Sequence, residues 1–230
     1  MTILKASDYP KFRPIPRLHR KIVITEKVNG TNGLIEVTEI DLDTLDGPLD
    51  GIGAVIHTVD GPTYLVRAGS RNRWLSPDND NFGFARWVWD NAVALAALGE
   101  GRHYGEWFGK GIQSGYGLDE KRFALFNVNR WYDPREPEYA SEGYLKEFPK
   151  ARTVPNIPTL TVVPVIAAVD GRGLNEWVSM ALHTLESEGS FIAPGFKDPE
   201  GIVVWHDAAG AYFKATIKGD ESPKSKAVSK

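Results

Sequence analysis

Between Lys21 and Ala68 turn residues recur so often that only short strands fit between them. Lys21–Lys27 is β-branched and apolar and reads as a strand. Asn29-Gly30-Thr31-Asn32-Gly33 reads as a turn, and residues 34–40, which alternate apolar and polar, as the strand that returns. Residues 41–53, rich in Asp and Gly, read as a solvated loop. Residues 54–59 and 63–68 read as a second strand pair around Asp60-Gly61. The first seventy residues therefore predict an antiparallel meander.

The rest of the chain changes period. Residues 81–98 place Trp89, Ala92, Val93 and Ala96 at helical spacing, with Gly99 where a C-terminal cap belongs. Residues 102–108 and 122–128 read as strands around a glycine-rich loop. Residues 133–150 are charged and irregular, with room for a short helix, and 160–167 read as a strand. Residues 174–188 read as a helix closed by Gly189, and 201–206 with 212–217 as a last strand pair. Residues 219–230, rich in Lys and Ser, read as a frayed tail. The expectation is one α+β domain over residues 1–218, built on antiparallel sheets flanked by helices, with no separate C-terminal domain.

Composition narrows the chemistry. With no cysteine there is no disulfide, zinc–thiolate site or cysteine nucleophile, and a reducing, cytoplasmic setting is expected. The first twenty residues lack a signal-peptide core, and the longest apolar run, 92–98, is far too short to span a membrane. The five histidines show no metal-site spacing. A net charge of −3 argues mildly against a polyanionic partner, but what matters is the field along one face.

Lys27 closes the first predicted strand, just before a turn with two glycines. A lysine there is ordinarily a solvated surface residue. The geometry also suits an amine held at a sheet rim while backbone N–H groups of the turn face a ligand. A lysine amine is a poor nucleophile near neutral pH, its reference pKa being about 10.4. Nearby cations and partial burial favour the neutral amine, so a competent site needs other basic residues close in space.

Glu26-Lys27-Val28-Asn29-Gly30-Thr31-Asn32 resembles the first motif of the covalent nucleotidyltransferases, and within them the RNA ligase 2-like family of phage and kinetoplastid enzymes. Further motifs follow in order: Ser70-Arg71, Tyr104-Gly105-Glu106-Trp107, Leu125-Phe126-Asn127-Val128, Glu200-Gly201-Ile202-Val203-Val204 and Phe213-Lys214. The resemblance spans nearly the whole chain. It implies an ATP-dependent RNA ligase with a nucleotidyltransferase (ATP-grasp-like adenylation) fold. In that reading Lys27 is the nucleophile, and Glu26, Asn29, Asn32, Arg71, Glu106, Phe126 and Lys214 bind the nucleotide. Glu200 is the metal ligand, ATP and Mg2+ or Mn2+ are the cofactors, and RNA strand ends are the partner. The alternatives on the same fold are a DNA ligase and a capping-type guanylyltransferase that uses GTP; a non-catalytic end-binding protein is the third.

The residue chemistry suits these roles. Arg71 and Lys214 can neutralise phosphate and supply the field that Lys27 requires. Glu106 can accept from a ribose hydroxyl, Phe126 can stack on a base, and Glu200 offers a hard cation its preferred oxygen. There are three departures from the family pattern. Asn29 stands where His is usual. Thr216 stands where a second lysine is often found, with Lys218 expected on the same face. The chain also ends soon after the fifth motif. In the glycine-rich stretch 109–115 the phosphate-loop order is missing, so a mobile loop near the site is expected. Arg71, Arg73 and Trp74 mix cations with an aromatic, which suits either a nucleic-acid groove or a structural anchor.

Overall fold

The computed structural model describes residues 14–44, 51–59, 61–131, 138–139, 145–147 and 154–218. The tail expected at 219–230 and most of the irregular stretch 133–150 lie outside the described residues. The elements in order are β1 (Lys21–Lys27), β2 (Thr31–Ile40), β3 (Ala54–His57), β4 (Thr63–Gly69), β5 (Trp74–Leu75), α1 (Phe84–Asp90), α2 (Ala92–Ala96), β6 (Gly101–Gly109), β7 (Lys121–Leu125) and α3 (Val128–Trp131). There follow β8 (Glu138–Tyr139), β9 (Leu145–Glu147), β10 (Leu160–Val162), β11 (Val165–Asp170), α4 (Leu174–Glu188), β12 (Gly201–His206) and β13 (Ala211–Thr216).

Two sheets carry the fold. One runs β11-β1-β12-β13 and is antiparallel throughout. The other runs β10-β7-β6-β2-β4-β3, with β5 on β4, and is antiparallel except for the β10–β7 pair. β8 and β9 form a small separate ladder. The α+β class expected from the sequence is the class observed, with helices on one face of each sheet. On the first sheet α4 packs Ala181 and Leu185 against Ile22, Ile24, Ile202 and Val204. On the second, α1 and α2 pack Phe84, Val88 and Leu95 among Ile35, Val37, Val66 and Phe123. Strand alternation leaves the opposite face of each sheet free to line a cleft.

The sequence pattern misleads at four junctions. The expected meander is broken at its first turn: β1 pairs with β11 and β12, whereas β2 pairs with β4 and β6. Val28 to Gly30 thus forms a crossing from one sheet to the other instead of a hairpin turn. A side chain at Gly30 would sit 2.3 Å from the Trp107 carbonyl, so the crossing backbone lies directly on β6. Gly33 is no turn residue either; it lies in β2 opposite Gly105 of β6. Cβ atoms there would meet Phe123 at 2.7 and 2.5 Å. The two glycines clear the space in which the Phe84 and Phe123 rings pack at a tilt, centroids 5.0 Å apart. Second, the strand expected over 160–167 divides at Val163-Pro164 into β10 and β11, which belong to different sheets, because proline cannot donate to a ladder. Third, the strand expected over 122–128 ends at Leu125, and Val128 opens the short α3. The helix expected over 81–98 is two helices meeting at Asn91, whose amide Nδ2 donates to the Trp87 carbonyl at 2.8 Å. Among the described residues no helix is long and apolar enough to cross a membrane.

Candidate active site

Both sheets turn their helix-free faces to one cleft of about 1540 Å³. That is more than the roughly 300–1,000 Å³ of an ordinary small-ligand pocket. Lys27, Glu26, Asn29, Asn32, Arg71, Glu106, Phe126, Glu200 and Lys214 all line it, so residues from six separate motifs converge there. Lys27, Arg71, Arg73, Arg102 and Lys214 outnumber the lining carboxylates Glu26, Glu106 and Glu200, so the cleft is locally cationic although the chain is net negative.

Lys27 is the last residue of β1, on the face shared with Val23 and Thr25. The register sets it opposite Gly201, the first residue of β12. Glu200 precedes that residue, and its Oε2 lies 2.5 Å from Lys27 Nζ. Its carbonyl accepts from Ile217 N–H at 3.1 Å, which holds the start of β12 against the end of β13. The lysine thus has a carboxylate as its ion-pair partner, where the sequence suggested a field of cations.

Glu106 projects from β6 opposite Asn32 of β2. Its carboxylate accepts from Gly30 N–H at 3.1 Å and from Asn32 Nδ2 at 3.2 Å. Burial pushes its pKa up to about 7; Lys27, the Gly30 N–H and Arg71 pull it down, and Glu200 adds to the rise. Phe126 follows β7, half-buried, and its N–H donates to the Tyr104 carbonyl at 2.9 Å. Lys214 lies on β13 opposite Val203, exposed in the cleft.

Several expectations need correction. Glu26 alternates to the other face of β1, and its side chain is fully engaged there: it accepts from Ser190 Oγ at 2.6 Å, Phe191 N–H at 2.8 Å and Ile192 N–H at 3.0 Å. Glu26 is 1% exposed, and burial raises its pKa against the pull of these donors. Glu26 therefore borders the cleft without offering its carboxylate to a ligand. Nor do the N–H groups of the crossing all face a ligand: Asn29 N–H donates to Tyr116 Oη at 2.7 Å, and Gly30 N–H to Glu106. Lys218 lies past the end of β13 and pairs with Asp198 at 2.8 Å, so it does not share the face of Lys214. Thr216 does line the cleft. Arg73 donates to the Asn79 and Asp80 carbonyls at 2.9 and 3.2 Å, and Trp74 receives Arg67 over its ring at 3.9 Å. These two residues anchor a loop, while Arg71 is exposed in the cleft. In the glycine-rich loop Ile112 and Tyr116 are buried and Gln113 reaches the cleft.

Sequence reasoning missed four residues that matter locally. Trp205 and Tyr212, paired across β12 and β13 with centroids 4.6 Å apart, line the cleft. Tyr116 and Ser190 hold the strand end that bears Lys27; the only local signal was a tyrosine set between two glycines. As to a divalent cation, no cage of three or more His, Cys, Asp or Glu side chains occurs among the described residues. Mg2+ is usually held by one or two carboxylates with water and substrate phosphates, so Glu200 at the cleft edge fits it.

The fold and cleft define an α+β domain with an amine and a carboxylate at the junction of two sheets. The chain belongs to the RNA ligase family, whose sequence profile matches residues 20–216. No curated protein shows significant similarity to it. Among solved structures it is similar to a lysine-to-alanine mutant of a Naegleria gruberi RNA ligase with ATP and Mn, at 16% identity and a TM-score of 0.48, covering 87% of this chain and 50% of that one. An apo lysine-to-alanine mutant of Naegleria gruberi RNA ligase aligns at 16% identity, TM-score 0.44 and the same coverage. The chain thus spans about half the length of the solved structures it matches.

Proposed function

We propose that this chain is an ATP-dependent RNA ligase whose residues 1–218 form the nucleotidyltransferase domain, with Lys27 as nucleophile. The observation that carries the reading is the Lys27–Glu200 contact at 2.5 Å in a cationic cleft, within a family match that includes both residues. ATP binds with its base on Phe126, its ribose near Glu106 and its phosphates facing Arg71 and Lys214. Glu200 would hold Mg2+ or Mn2+, which would supply charge neutralisation to the phosphates. With its contact to Glu200 opened, Lys27 passes a proton to water and its free amine attacks the α-phosphorus. The bond to pyrophosphate breaks, leaving a lysine–AMP phosphoramidate. A 5′-phosphate then takes AMP and frees the lysine, and a 3′-hydroxyl displaces AMP to close the phosphodiester. Family membership supports RNA ends over DNA ends, and the cysteine-free composition supports work in the cytoplasm.

The test is incubation with Mg2+ and α-labelled ATP or GTP, followed by denaturation. Label from ATP that is lost in Lys27→Ala is the expected result. Label from GTP alone moves the activity to capping, and no label from either in a folded protein overturns the enzyme reading. Sealing of matched RNA and DNA ends then decides the strand.

A further inference from the structure

Lys27 is held from both sides by residues that lie outside the cleft lining. On its N-terminal side the Glu26 carboxylate is bonded by Ser190, Phe191 and Ile192. On its C-terminal side Asn29 N–H is bonded by Tyr116 Oη at 2.7 Å. The two holds are joined. The Tyr116 ring packs on Phe196 with centroids 4.7 Å apart, and Phe196 closes the loop that begins at Ser190 through Ser190 N–H to its carbonyl at 2.9 Å. Phe108 meets the same tyrosine ring edge-on at 5.4 Å.

Tyr116 keeps its place at a conformational cost. Its φ is 54°, in the left-handed region, between Gly115 at 67° and Gly117 at 65°. A side chain there costs roughly 1–2 kcal/mol. The ring is 3% exposed, so packing stabilises the turn, yet an aromatic core residue needs no hydroxyl. The hydroxyl is spent on the crossing two residues after Lys27.

We infer that Tyr116 is a positioning residue: with the 190–196 loop it forms one bracket that fixes the crossing between the sheets and so the line along which the Lys27 amine reaches its target. The inference rests on the reading of Lys27 as nucleophile. In-line transfer tolerates little misplacement; about 1 Å can cost on the order of a hundredfold in rate. A bracket on both flanks of one residue limits that error without adding any contact to the nucleotide.

The test is Tyr116→Phe, which keeps the ring and removes only the hydroxyl. Single-turnover formation of lysine–AMP is measured across ATP concentrations, with amide hydrogen exchange at Asn29 alongside. The maximal rate is expected to fall on the order of 10- to 100-fold while half-saturating ATP stays within about twofold. Asn29 N–H is expected to exchange faster while Phe191 and Ile192 keep their protection. A wild-type maximal rate, a rise in half-saturating ATP at unchanged maximal rate, or unchanged Asn29 exchange each overturns the inference. If Tyr116→Phe does not fold, Phe196→Leu, which keeps the hydroxyl and removes its ring partner, is read for the same split, and a wild-type rate there overturns it. If the unaltered protein forms no lysine–AMP, the nucleophile reading fails by itself, and Asn29 exchange still decides whether the bracket holds the crossing.

Discussion

Lys27 Nζ lies 2.5 Å from Glu200 Oε2, although 173 residues separate them in sequence. Their meeting is a consequence of strand register: Lys27 ends β1 opposite the first residue of β12, and Glu200 stands just before it. On the proposed reading Glu200 would hold the cation, so its contact with Lys27 opens before the amine reaches the α-phosphorus. Glu200→Ala is therefore expected to lower lysine–AMP formation by on the order of 100- to 1,000-fold. It is also expected to move the Mg2+ requirement to higher concentration. Labelling across a Mg2+ titration checks both, and an unchanged Mg2+ dependence would remove Glu200 from the metal role.

Glu106 gives a pH signature with a definite sign. Its folded pKa is raised from 4.5 to about 7, chiefly by burial. Between those values the folded state binds more protons than the unfolded state, so stability falls as pH rises through the window. The loss is on the order of 3 kcal/mol. Glu106→Gln should abolish that slope while carrying a pH-independent cost, since its amide nitrogen meets one of the two donors Gly30 N–H and Asn32 Nδ2. Denaturant titrations at about pH 5 and about pH 8 read the difference.

Glu26 and Lys27 are adjacent in sequence and opposite in consequence. Glu26→Ala strands two backbone N–H groups and a hydroxyl, and is expected to destabilise the domain by about 2–5 kcal/mol. Lys27→Ala breaks a partly exposed pair and should cost about 1 kcal/mol or less while abolishing labelling. Thermal melts of the two variants separate the roles; equal melting temperatures would return Glu26 to the binding site.

Phe126 is assigned to base stacking. Stacking on an aromatic is worth roughly 1–3 kcal/mol, so Phe126→Ala should raise the half-saturating ATP concentration by about 5- to 150-fold. A loss confined to the maximal rate would speak for a packing role instead.

Much of this protein was legible in its chain. β1, α4 and β12 fall at the expected residues because their signals are local: β-branched runs, a 3.6-residue period, a closing glycine. The residues that meet in the cleft were also named by their motifs, since each motif carries its chemistry in a few adjacent side chains. The local hairpins β3–β4 and β12–β13 were legible, but pairing across the fold was not. A turn of Asn and Gly between two strands is as compatible with a crossing between sheets as with a hairpin, and only the neighbours decide. Here the Trp107 carbonyl on β6 takes up the space beside Gly30, and Glu106 with Tyr116 takes the N–H groups that a sequence reader would offer to a ligand. The sequence by itself determined β1, α4, β12 and the presence of an amine beside a glycine-bearing junction. The tertiary structure alone decided that the amine meets Glu200 and that Glu26 turns away from the cleft. The reason is physical: secondary structure answers to neighbours a few residues away, whereas the partner of a strand end is chosen by register and burial across the whole fold.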